Sequence, residues 1–244
     1  MPLTQALYVL RTTGKIISGT AAAYGLLIPL WISRWFGRIV VQGELPSKKQ
    51  IKETGVLLMA NHPSLIETIV LPALLSPWRW SVQDTQLPYS VADSQLFGRH
   101  SEWLYKHFRC VSVSRDELTS TKMNRQAART CIRILAKQGL LISYPEGGRT
   151  CKGDAWEHSE HGSVRTCNPA IVKIAQRTNA QIIPVWISHG DCTQPESLLR
   201  GYYKLFFHQK MIVTFGSPVT FPTSPVTSQE VANVLLHTAT PGKT

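Results

Sequence analysis

Residues 55–67 read Gly55-Val56-Leu57-Leu58-Met59-Ala60-Asn61-His62-Pro63-Ser64-Leu65-Ile66-Glu67. The run up to Ala60 is short and apolar enough to form a buried strand, and Thr54 to Ala60 is assigned to it. Leu65 to Leu75 is expected to be a helix, with Pro63 suited to its first position, where a missing N–H costs nothing. His62 then lies where a buried strand ends and a helix begins. An imidazole there, with the Glu67 carboxylate five residues on, has the makings of a general base and its orienting partner. A histidine that only caps a helix has the same local pattern, so this stretch alone does not decide.

Strand-like and helix-like segments alternate on both sides of it. Arg38 to Glu44 is expected as a strand, and Leu45 to Glu53 as a polar, lysine-bearing connection. Trp78 to Val82 and Tyr89 to Ala92 are short strand candidates, and Ser101 to His107 is helical in pattern. Arg109 to Arg115 alternates as a strand does. Leu118 to Lys137 carries the longest helical pattern, ended by Gly139. Gly139 to Tyr144 is a second buried strand and runs into Pro145-Glu146-Gly147-Gly148-Arg149-Thr150. A polar loop follows to about Thr166, then helix Pro169 to Thr178, strand Gln181 to Ile187, strand Met211 to Phe215 and a short helix near Gln229 to His237. Such alternation indicates one α/β domain, residues 38–244, with a central mixed sheet flanked by helices.

Residues 1–37 are expected to be a membrane-associating segment. Ile16 to Ser33 carries no charge and is flanked by Arg11, Lys15, Arg34 and Arg38. Its length is at the lower edge for a span, and Gly19, Gly25 and Pro29 weaken a straight helix. Basic residues on both sides suit a helix or broken hairpin lying in one leaflet, on the cytoplasmic face. Trp31, Trp35 and Phe36 suit the membrane–water interface.

The 244 residues are 43% hydrophobic, which is ordinary for a globular protein and excludes a polytopic membrane protein. A net charge of +11, from 26 Lys and Arg against 15 Asp and Glu, favours a polyanionic partner. No base-stacking motif or basic-helix signature supports nucleic acid, leaving an anionic membrane surface as the expected partner. The five cysteines contain no Cys-x-x-Cys, which suits a reducing compartment without a disulfide framework. Cys151, His158, His161 and Cys167 are metal-binding residue types, but their spacing matches no zinc finger. A substrate-facing loop is expected there, and no metal.

Four blocks in this order resemble the PlsC-type glycerolipid acyltransferases, the lysophosphatidate acyltransferase family. Asn61-His62-Pro63-Ser64-Leu65-Ile66-Glu67 resembles the family's Asn-His-x-Ser-x-x-Asp. Val91 to Gly98, running on to Val111-Ser112-Val113-Ser114-Arg115, resembles the second block. Tyr144-Pro145-Glu146-Gly147-Gly148-Arg149-Thr150 resembles Phe-Pro-Glu-Gly-Thr-Arg-Ser, and Ile183-Pro184-Val185 resembles Val-Pro-Val. The likeness covers roughly residues 38–216.

It implies transfer of an acyl group from acyl-CoA or acyl-carrier protein to a lysolipid hydroxyl, with His62 as base and Glu67 orienting it. No covalent acyl-enzyme and no cofactor beyond the donor are implied. Arg149 and Arg115 would hold the acceptor phosphate, since a guanidinium fork pairs with two phosphate oxygens at once. Glu146, Gly147 and Gly148 belong to the same substrate-binding loop, and the glycines would let backbone approach the substrate. Three letters depart from the pattern: Glu67 replaces aspartate, Gly148 stands where threonine is usual, and Asp93 where lysine often is. The acceptor therefore need not be lysophosphatidate. The Glu67 and Asp93 departures also keep open a catalytically silent lipid-binding member of the same fold.

Overall fold

The computed structural model describes residue 30 and residues 32–75, 88–94, 109–114, 117–150, 155–189, 203–205, 207, 209–222 and 225–239. Its strands are β1 (Ile39–Gln42), β2 (Val56–Ala60), β3 (Tyr89–Asp93), β4 (Cys110–Val113), β5 (Leu140–Ser143), β6 (Trp156–Ser159), β7 (Gly162–Arg165), β8 (Gln181–His189) and β9 (Met211–Phe215). Its helices are α1 (Lys48–Thr54), α2 (Glu67–Leu75), α3 (Glu117–Ala136), α4 (Ala170–Thr178) and α5 (Ser228–Ala239).

The main sheet has the order β1-β9-β8-β2-β5-β3-β4. From β8 to β4 the neighbours are parallel, while β9 runs antiparallel to β8 and carries β1 parallel to itself. The sheet is therefore mixed, as its sequence pattern implied. Every residue of β2 is buried, which is why Val56 to Ala60 reads as a continuous apolar run. Val56, Leu58 and Ala60 join Leu140, Ile142, Ile183 and Val185 in one core layer, closed by Ile51 of α1 and by Val70, Leu71 and Leu74 of α2. Leu57 and Met59 point the other way, with Leu141 and Ile182, onto Leu135 of α3, Val172 of α4 and Leu235 of α5.

Several local expectations change. The connection after β1 contains α1, whose N-terminus is a capping box in which Ser47 and Gln50 satisfy each other's backbone N–H. Gly55 ends α1 at φ 69, and a Cβ there would meet the Leu135 carbonyl oxygen at 2.5 Å, so only glycine fits. Helix α2 starts at Glu67, and Pro63 lies in the turn ahead of it rather than at its first position. The reason is that the Glu67 side chain folds back to bond Ser64, so the chain turns before the helix begins.

At the end of α3 the left-handed residue is Gln138, with φ 58, not Gly139. Gly139 donates to the Ile134 carbonyl at 2.9 Å and Gln138 to Leu135 at 2.9 Å, a Schellman closure in which Gly139 allows the close approach. The polar loop after Thr150 contains the antiparallel hairpin β6–β7, which packs on α5. The expected elements at Trp78 to Val82 and Ser101 to His107, and most of the N-terminal apolar run, lie outside the described residues. Residues 32–35 are helical, and among the described residues no helix is long and apolar enough to cross a membrane.

Candidate active site

Because β2 and β5 are parallel neighbours, the segments that follow them, Asn61-His62 and Tyr144 to Thr150, leave the sheet side by side. This carboxyl edge is where parallel sheets present ligand-binding loops. Asn61 is buried, and its amide exchanges two bonds with the backbone of Ile187, donating from Nδ2 at 3.0 Å and accepting at Oδ1 at 2.6 Å. That pair extends the β2–β8 ladder by one side chain and sets where His62 begins.

His62 Nδ1 lies 2.5 Å from Glu67 Oε1, with the His62 side chain 13% exposed and that of Glu67 fully buried. Ser64 completes the carboxylate's shell, its N–H donating to Oε1 at 2.9 Å and its hydroxyl to Oε2 at 2.5 Å. Burial pushes the Glu67 carboxyl up, but the bond and charge of His62 and the Ser64 hydroxyl outweigh it, and the net shift is downward. Glu67 is thus held ionised. The Tyr144 ring packs against the imidazole at 4.7 Å between centroids, and its hydroxyl donates to the Glu67 carbonyl at 3.3 Å. Burial, then the Glu67 charge, push the Tyr144 phenol well up, so it stays a donor.

Glu146 ties the two loops together. It is 4% exposed, and its carboxylate accepts from the His62 N–H at 2.8 Å, the Thr150 hydroxyl at 2.8 Å and the Arg165 N–H at 3.2 Å. Thr150 N–H also donates to the His62 carbonyl at 2.8 Å, so the loops after β2 and β5 are joined through both backbone groups of His62. Burial raises the Glu146 carboxyl despite these donors. Its side chain organises the backbone at His62 and Arg165.

This arrangement limits the available chemistry. With Nδ1 donating to a carboxylate, Nε2 keeps its lone pair and can accept a proton, while Glu67 stabilises the imidazolium that results. Ser64 donates to Glu67 rather than to His62, so it is not set up as an activated nucleophile. Burial pushes the thiols of Cys110 and Cys167 up to about 12 and that of Cys131 to about 11, which keeps them protonated and poor nucleophiles.

The structure brings His62, Glu67 and Glu146 together, with Gly147, Gly148 and Arg149 on the loop between Glu146 and Thr150. Gly147 is exposed at φ 63 with open space where a Cβ would be, Gly148 is buried and Arg149 half-buried. Arg115 and Cys151 lie outside the described residues. Among the described residues no group of three or more His, Cys, Asp or Glu is placed to hold a metal, and the His161 ring is stacked on His237 at 5.4 Å. Sequence reasoning gave no role to Ser64, Tyr144 or Thr150. The Ser64-x-x-Glu67 spacing, that of a capping box, was the available signal for the first.

A family model described as Acyltransferase matches residues 38–188. Among solved structures, the 1-acyl-sn-glycerophosphate (LPA) acyltransferase PlsC from Thermotoga maritima is similar, with a TM-score of 0.54 and 18% identity over 97% of this chain and 87% of that one. That likeness is one of fold. None of the curated proteins matches this chain.

Proposed function

The chain belongs to the Acyltransferase family, and on that premise we propose that it moves a fatty acyl group from acyl-CoA or acyl-carrier protein to the hydroxyl of a lysophospholipid-type acceptor, such as 1-acylglycerol-3-phosphate. The observation that carries this reading is the 2.5 Å contact of His62 Nδ1 with the buried Glu67 carboxylate. His62 Nε2 takes the acceptor hydroxyl's proton as that oxygen attacks the thioester carbonyl. The carbon–sulfur bond breaks, the new ester forms, and the departing thiolate takes the proton back from the imidazolium. Glu67 compensates the imidazolium charge throughout. Arg149, with Arg115, holds the acceptor phosphate. The fold shared with the 1-acyl-sn-glycerophosphate acyltransferase of Thermotoga maritima supports that acceptor class. Glu146 and Thr150 hold the His62 backbone in register with this loop.

The silent-member alternative drew on Glu67 being longer than aspartate. The carboxylate nonetheless meets both the imidazole and Ser64, which favours the active reading. The test is a screen of purified protein on lysophosphatidate and other lysolipids against acyl-CoA and acyl-carrier protein, read as free thiol released. Turnover that His62→Ala abolishes is the expected result. Full activity in His62→Ala would reject the base assignment, and a wild type inert on every pair would favour the silent member.

A further inference from the structure

Tyr144 touches both members of the His62–Glu67 pair. Its ring lies against the imidazole at 4.7 Å between centroids with a 31° tilt, and its hydroxyl donates to the Glu67 carbonyl at 3.3 Å. The first contact reaches the base itself. The second reaches the backbone that carries the orienting carboxylate, not the carboxylate.

Strand alternation puts the side chain there. Leu140 and Ile142 of β5 belong to the core layer closed by α2, while Leu141 belongs to the opposite layer, so Tyr144 follows on the α2 side and packs against that layer. It stands one position past β5, where Ser143 is paired with Met59, and its carbonyl accepts from the Gly147 N–H at 2.9 Å to close the turn that follows. Tyr144 is therefore fixed to the sheet through its backbone and to the first residue of α2 through its hydroxyl. A carbonyl oxygen carries two lone pairs and so has room for this donor, and a phenol packed on apolar side chains needs an acceptor.

Two anchors consequently set where α2 begins. The Glu67 side chain, folded back, ties its own α-carbon to His62 Nδ1 and to Ser64. The Tyr144 hydroxyl holds the carbonyl of the same residue. While both hold, the gap between the imidazole and the helix start suits one side-chain length only.

We propose that Tyr144 is a positioning residue whose hydroxyl holds the start of α2 at the distance that a glutamate, and not an aspartate, spans to His62. Removing the hydroxyl then acts in opposite directions in two backgrounds. With Glu67 in place it loosens a carboxylate that already fits. With aspartate there it frees the helix start to approach the imidazole. The kinetic consequence rests on the acyltransferase reading, but the fit of the carboxylate to the imidazole does not.

The experiment compares wild type, Tyr144→Phe, Glu67→Asp and the double variant. Each is checked for folding by thermal denaturation, then followed by steady-state thiol release and by the low-field NMR signal of the imidazole N–H in the unliganded protein. Phenylalanine keeps the ring, so only the hydroxyl is tested. Tyr144→Phe should lower kcat about three-fold in wild type and raise it about three-fold in Glu67→Asp, the scale of one long neutral hydrogen bond, with KM for the acceptor little changed in both. The N–H signal should move upfield in Tyr144→Phe and back downfield in the double variant relative to Glu67→Asp. A hydroxyl that serves stability alone would lower Tm in both backgrounds and reverse sign in neither readout. Changes of the same sign in both backgrounds, or an N–H signal that Tyr144→Phe leaves unmoved, overturn the proposal. A wild type that turns over no donor–acceptor pair defeats the acyltransferase reading instead, and the NMR signals then decide alone, with opposite shifts supporting the positioning role and unmoved signals overturning it.

Discussion

Glu67→Asp is the perturbation that most directly probes the candidate site. In the native arrangement one carboxylate spans two duties, meeting His62 Nδ1 at 2.5 Å through Oε1 and the Ser64 hydroxyl at 2.5 Å through Oε2. Aspartate is shorter by one carbon–carbon bond of about 1.5 Å. If the backbone stays fixed, the Nδ1 contact opens beyond the ~3.2 Å limit of a hydrogen bond. Backbone movement is costly here, because Ile66, Val70 and Leu71 beside Glu67 are all at most 1% exposed. A misplacement of ~1 Å at a reacting group costs on the order of 100-fold, equivalent to about 2.7 kcal/mol of transition-state stabilisation. We expect kcat in thiol release to fall by about that factor with KM for the acceptor little changed, since no substrate contact is removed. The imidazole N–H proton, followed by NMR, should lose the low-field position of a short bond to a carboxylate. A Glu67→Asp enzyme with kcat within about two-fold of wild type and the low-field proton intact would refute the claim that the site is built around the longer side chain.

Glu146→Gln should remove the acceptor for one of three donors, because an amide nitrogen set against the Arg165 N–H cannot accept from it. The cost is about 2 kcal/mol, or a Tm lowered by about 4–8 °C, and an unchanged Tm would show that the carboxylate is not the hub of the two loops. The two buried carboxylates should also respond to pH with opposite sign. Glu67 is lowered from 4.5 on folding, so its stabilisation is present above that pH and is lost as pH falls through the folded value. Glu146 is raised from 4.5, so its proton is held more tightly in the folded state and stability is lost as pH rises from 4.5 through the folded value. The Tm difference between wild type and Glu67→Gln should therefore be largest at neutral pH and shrink on acidification, and a difference independent of pH would show that Glu67 is not ionised in the native protein.

Short-range physics is legible in the residues alone. Val56 to Ala60 and Leu140 to Ser143 read as strands buried on both faces, because each is a largely apolar run of strand length set off by a preceding glycine. The five-residue step from His62 to Glu67, and the Ser64-x-x-Glu67 spacing within it, are local enough to pair across a single turn. Ser47-x-x-Gln50 is a local helix signal within the polar connection after β1, whereas the hairpin β6–β7 lies in a polar stretch with no apolar alternation to mark it.

Pairing between distant residues emerges only once the sheet is assembled. Glu146 is 84 positions from His62, and nothing in the loop's composition says that its carboxylate accepts the His62 N–H. Asn61 is likewise matched to Ile187 only because β2 and β8 are neighbours in the sheet. The reversal of β9 against β8 is a third such case. It brings the starts of β1 and β9 to the edge where His62 emerges, and strand direction is set by register across the whole sheet rather than by any residue in those strands.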